Sequence, residues 1–182
     1  VSLLLVGLAP PHEDGVCVRK VAKSATNDPS DNVRSFVEET LAQPWDALTG
    51  KGLFLIHAVK CAIVPNAHGS QNPPPPVVGC CNPVGFAPEF QSLRPPHVVT
   101  LGDMARRAVL KTPGVIVPRQ VKLTTKLDLL QRLWPQGIPC KLEDEPFILH
   151  PARFPCTAPT KKDAAAVLRK AAQLAAIIKE AG

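Results

Sequence analysis

Tyrosine is missing from the 182 residues, methionine occurs once, and aromatic residues amount to only 4%. A core built on large rings is therefore excluded, and aliphatic and alanine positions have to supply the apolar area. Nowhere does an apolar run reach the ~18 residues that span a bilayer, so neither a transmembrane helix nor a membrane partner is expected. The opening VSLLLVG lacks a basic flank and a small-residue cleavage site. It reads as a buried strand rather than a signal peptide, and the start at Val1 reads as processed or trimmed. The fingerprints GxGxxG, GxxxxGK(S/T) and GxSxG do not occur. Dinucleotide binding, phosphate-loop NTPase chemistry and the usual α/β-hydrolase nucleophile elbow lose support with them. No cysteine spacing fits a zinc ribbon or zinc finger, and there is no HxE followed by PCxxC deaminase pattern.

Hydrophobic residues at 45% and charged residues at 20% are enough for a buried core and argue against wholesale disorder. The length suits a single domain over 1–182. Lysine and arginine total 21 against 15 acidic residues, a net charge of +6. Such an excess suits a polyanionic partner, although solubility alone accounts for it equally well. Proline is abundant at 21 residues and clustered: Pro10–Pro11, Pro73 to Pro76, Pro95–Pro96, then Pro151, Pro155 and Pro159. Clustering excludes a collagen-like repeat and fits rigid loops between packed elements. The six cysteines permit disulfides, but a chain with this much core does not depend on them. They read as free thiols of an intracellular protein, in cytoplasm or nucleoid or nucleus.

Strand-length apolar runs alternate with segments of helical period, the pattern of an α/β fold with a largely parallel sheet. Ser2–Leu8 is uncharged throughout, as a strand covered on both faces should be. A helix is expected over Asn32–Gln43 from Val33, Phe36, Val37 and Leu41 at helical spacing. Leu53–Val64 is a second strand region, and Asn66–Pro83 is a long polar, proline-rich loop. A short helical stretch at Pro88–Leu93 precedes a third strand, His97–Leu101. Gly102 ends that strand and Asp103 caps a helix through Leu110. Val115–Val117 is short and extended, Leu123–Leu133 is helical, and Phe147–Leu149 is the last core strand. Lys161–Glu180 is an amphipathic helix with Val167, Leu168, Leu174, Ile177 and Ile178 facing inward. Polar loops after the strands, at Gly7–Gly15, His57–Cys61 and His150–Cys156, lie where open α/β sheets bind ligands.

Four segments, taken in order, carry a likeness: Gly7-Leu8-Ala9-Pro10-Pro11, Leu55-Ile56-His57-Ala58-Val59-Lys60-Cys61, Pro96-His97-Val98-Val99-Thr100-Leu101-Gly102 and His150-Pro151-Ala152-Arg153. Together they resemble the uracil-DNA glycosylase superfamily, nearest its thermophile-type iron–sulfur branches. There the motifs read GEAPG or GLAPA, NVVKC, PxxIVxLG, and HPS or HPA. Each motif alone is unspecific; their order over nearly the whole chain carries the resemblance. The chain departs from the pattern at Leu8, where iron–sulfur members have Glu, at Ala9, where other members have Asp or Asn, and at His57, where the family has Asn.

The resemblance implies a three-layer α/β/α sandwich with a four-stranded, mostly parallel central sheet, and the first, second and last loops converging at one end. It implies removal of uracil or another deaminated base from DNA by hydrolysis of the N-glycosidic bond. The base is extruded, the leaving anion is stabilised and a water is oriented. His150 matches the donor to the leaving base. His12, Glu13 and Asp14 are the ionisable groups able to replace the missing acid, with Asp14 preferred as the water-orienting residue. Gly7, Ala9, Pro10, His12 and His57 would surround the base. Phe154 would fill the gap left by it, and Arg153, Lys161 and Lys162 would meet phosphates. The expected partner is single- or double-stranded DNA, bound by a monomer without metal or other cofactor. An alternative is an iron–sulfur cluster on Cys61 and Cys80 or Cys81, with Cys17 as the one stand-in for the family's upstream pair. Two other readings are a nucleic-acid-binding protein that kept the fold and lost catalysis, and an unrelated α/β ligand-binding domain.

Overall fold

A computed structural model describes residues 1–7, 31–59 and 82–179. Strand β1 (Leu3–Gly7) is buried at every position. Its neighbours account for this: it lies between β2 (Leu53–His57) and β3 (His97–Leu101), parallel to both. β3 in turn pairs in parallel with β6 (Glu145–Ala152). The sheet does not stop at these four strands. β5 (Ile138–Leu142) runs antiparallel to β6, and β4 (Val115–Ile116) runs antiparallel to β5. The order is β2-β1-β3-β6-β5-β4, a mostly parallel sheet of six strands, which corrects the expectation of four. The last strand is also longer than Phe147–Leu149, because β6 begins at the tight turn that joins it to β5.

Alternation along β1 divides the core. Leu3 and Leu5 face helices α1 (Asp31–Leu41) and α2 (Trp45–Gly50), through Val33, Phe36, Val37, Trp45 and Leu48. Helix α6 (Ala158–Leu174) packs on this same side through Ala164, Leu168, Ala171 and Ala172. Leu4 and Val6 face the other way, toward a π-turn over Asn82–Phe86, then α3 (Ala87–Leu93), α4 (Asp103–Leu110) and α5 (Leu127–Leu133). Phe86 and Phe90 stack there at 5.6 Å, and Phe147 meets Phe90 edge-on at 5.7 Å. Few rings are thus concentrated at one place. On the α6 side the β5–β6 hairpin is uncovered, with Pro139, Lys141 and Pro146 exposed. Leu174, expected inside, is 48% exposed. The small alanines let α6 lie close to the sheet and take the inward positions instead. No described helix is long and apolar enough to cross a membrane.

Side-chain caps fix the connections. The Trp45 amide donates to Glu38 Oε1 at 2.7 Å, so a carboxylate on α1 caps the next helix. That bond, with Arg34 nearby, holds the Glu38 carboxyl below its usual range. At the start of α6, Thr157 and Thr160 form a reciprocal capping box.

Candidate functional site

The carboxyl ends of the parallel strands form one rim. Gly7 and His57 are register partners, and Leu101 and Ala152 are partners two strands away. A β-carbon on Gly7 would stand 3.2 Å from His57 Cδ2, so this glycine lets the half-buried imidazole lie against β1. Gly102 has φ of 94° and donates its amide to the Ala152 carbonyl at 2.8 Å, tying the end of β3 to that of β6. Phe154 is 45% exposed beyond this junction, and its Cβ is 3.4 Å from where a Gly102 side chain would begin. Ala9, Pro10, His12, Glu13 and Asp14 lie outside the described residues.

His150 is not at the rim. It pairs with Val99, two residues before the carboxyl ends, or about 7 Å down the strand. Three strand spacings, roughly 14 Å, separate its strand from that of His57. Its side chain is on the α6 side, like that of Ala152, and is 3% exposed. The ring turns toward the amino end of the sheet: His150 Nε2 is 3.3 Å from His97 Nδ1, and the two rings stack at 5.6 Å. On its other flank is Gly137, where a β-carbon would fall 2.7 Å from His150 Nδ1. Burial, then His97 and Lys170, push the His150 imidazole down to about 4, so it is neutral near pH 7. Burial also lowers His97. The structure therefore brings His150 together with His97 and not with His57.

Beside His150 is a notch of about 280 Å³. It exists because β5 pairs with β6 only as far as Leu149, leaving His150, Pro151 and Ala152 without a strand on that flank. The Gln131 amide fills part of the gap by donating to the Pro151 carbonyl at 3.2 Å. Trp134 and Pro135 form one wall; Asp163, Ala166, Val167 and Lys170 of α6 form the other. None of these was singled out as a site residue from sequence, although the spacing 163, 166, 167, 170 is one helical stripe and was legible.

Arg153 leaves the rim for this region. Its guanidinium donates to Asp128 Oδ1 at 2.6 Å and stands 4.0 Å from Asp163 Oδ2. Lys161 and Lys162 are exposed in the first turns of α6. Cys140 is buried, its thiol pushed up to about 12 by desolvation, and Cys156 is exposed. Cys17, Cys61, Cys80 and Cys81 lie outside the described residues, so a cluster site on them has no geometry to test. Among the described residues no three His, Cys, Asp or Glu side chains gather as a metal site. Compared with known proteins, the chain matches no family model and no curated sequence.

Proposed function

We propose that this protein is a DNA-base glycosylase, hydrolysing the N-glycosidic bond of uracil or another deaminated base in DNA. One observation carries the reading. The described residues of the four ordered segments lie on or directly beside four adjacent parallel strands, β2-β1-β3-β6, whose carboxyl ends share a rim. Glycines at Gly7 and Gly102 keep that rim open beside His57 and Phe154. The three-layer α/β/α arrangement fits the same reading. A base drawn into the rim would meet His57, and an exposed Phe154 suits the gap left in the duplex. A neutral imidazole has one N–H to donate to a developing oxyanion, but His150 lies two residues below the rim and faces His97, so its donor role rests on the His-Pro motif. Asp14 would orient the water, and Lys161 and Lys162 would meet phosphates.

A second reading has its own support. His150 is buried behind the rim and faces His97, as expected if the fold retained nucleic-acid binding and lost base excision. One assay separates the two. Single- and double-stranded oligonucleotides carrying uracil are incubated with the protein and treated with alkali. Strand breakage at uracil supports the enzyme; salt-sensitive binding without breakage supports the binding protein.

A further inference from the structure

The notch beside His150 has two poles, a carboxylate that is only loosely paired and an ammonium with no ion pair among the described residues. Asp163 has one long ion pair, 4.0 Å from Arg153 Nε, while Arg153 is held more closely by Asp128 at 2.6 Å. The Asp163 Oδ2 atom is buried toward Arg153 without a hydrogen-bond partner, and the rest of the carboxylate is partly exposed. Lys170 makes no ion pair among the described residues and lines the notch together with the neutral imidazole of His150. The two poles are seven residues apart on one helical stripe, about 10.5 Å of rise. That is too far for the direct pairing available at three or four residues. Both side chains lean toward the amino end of the helix, so only the greater length of Lys170 shortens the gap. Between them are Ala166 and Val167, small and apolar, and in the facing wall is Trp134, which also packs against the core on the other face of the sheet.

We propose that this notch binds a small zwitterion, its ammonium beside Asp163 and its carboxylate beside Lys170. The volume, about 280 Å³, is just below the usual range of drug-sized sites and limits the ligand to a short chain. Trp134, in the facing wall, adds apolar surface beside the intervening methylenes. A ligand with one charge would leave a partly buried pole unmatched, and net charge of either sign would be repelled by one wall. The chain between the charges has to cover several ångströms, which favours an ω-amino acid over an α-amino acid. This site lies below the rim and shares His150 with the glycosylase reading, but it does not rest on that reading.

The test is a titration of the intact protein with δ-aminovalerate, followed by the indole N–H resonances. There are two tryptophans, and Trp134→Phe assigns the signal. A saturable shift of Trp134 is expected, with pentylamine and valerate each binding at least about threefold more weakly. Asp163→Asn and Lys170→Met should each weaken δ-aminovalerate binding by about three- to tenfold. Asp163→Lys combined with Lys170→Asp should recover much of that loss, because the ligand can bind reversed. Ala166→Trp alters an exposed position and should block the notch without disturbing the core. No saturable shift, equal binding of the singly charged analogues, or unchanged binding in Ala166→Trp overturns the proposal.

Discussion

His97 Nδ1 and His150 Nε2 lie 3.3 Å apart across β3 and β6, and the rings overlap at 5.6 Å. At that distance one ring donates and the other accepts, so both cannot be charged without losing the bond. Nearby Lys170 adds to the cost of protonating His150.

The first prediction concerns acid stability. His150 has an ordinary value of 6.5 and about 4 in the folded protein, so the unfolded chain binds more protons between those limits. Stability is then full above about pH 6.5 and falls as the pH drops toward 4, by on the order of 3 kcal/mol from this group. His97 shifts in the same direction. Urea unfolding across pH 4 to 7 should show this slope in the wild type and a shallower one in His150→Gln. Equal slopes would mean that other groups control acid unfolding.

The contact between these histidines was beyond sequence reading because it joins positions 53 residues apart and depends on the register of β3 with β6. Strand β3 was legible to the residue and helix α4 to within one, since Asp103, expected as the cap, is the first helical residue and Gly102 takes the cap position. β5 was not. Pro139 argues against a strand, yet it is tolerated because β4 pairs only with Leu142 and Lys141, leaving β5 an edge at Pro139. The turn into β6 uses Glu143 at φ 56°, without the glycine or asparagine that would announce a hairpin. Helix α2 is six residues long and capped by Glu38 from another helix, a signal no local window contains. The stripe from Asp163 to Lys170 was visible as part of an amphipathic helix. What it faces follows only from where β5 stops.

Gly137 is the second prediction. It has φ of 96°, and a β-carbon would fall 2.4 Å from Ile148 Cγ2 and 2.7 Å from the His150 ring. Gly137→Ala should therefore cost roughly 2–4 kcal/mol and lower Tm by about 5–15 °C. Gly50→Ala is the control, since nothing lies within 4 Å of its added methyl, and it should leave Tm unchanged or slightly raised. Similar behaviour of the two variants would show that the His150 wall can relax.

Electrostatics of the proposed DNA contact give the third. Lys161 and Lys162 are exposed, whereas Arg153 is engaged by Asp128. Replacing both lysines with alanine should reduce the slope of log affinity against log salt by up to about 2. Arg153→Ala should change it less, since that charge is already compensated. Fluorescence anisotropy at several salt concentrations measures both, and an unchanged slope in the double variant would remove the lysines from the interface.

The last prediction separates the two histidines of the rim and the strand. If the protein excises bases, a neutral donor to the leaving oxyanion contributes about 2.7–4 kcal/mol, or two to three orders of magnitude in rate. Within the glycosylase reading that donor is His150, so His150→Ala should slow single-turnover cleavage of a uracil oligonucleotide by about that factor. DNA affinity, which rests on phosphate contacts, should hardly change. His57 lies against Gly7 at the rim itself. If it only contacts the base, His57→Ala should cost about tenfold, mostly in binding of the extruded base. The reverse ranking, with His57→Ala the more damaging, would transfer the donor role to the rim. His150 would then be half of a structural pair with His97, and the acid-stability slope would remain its only phenotype.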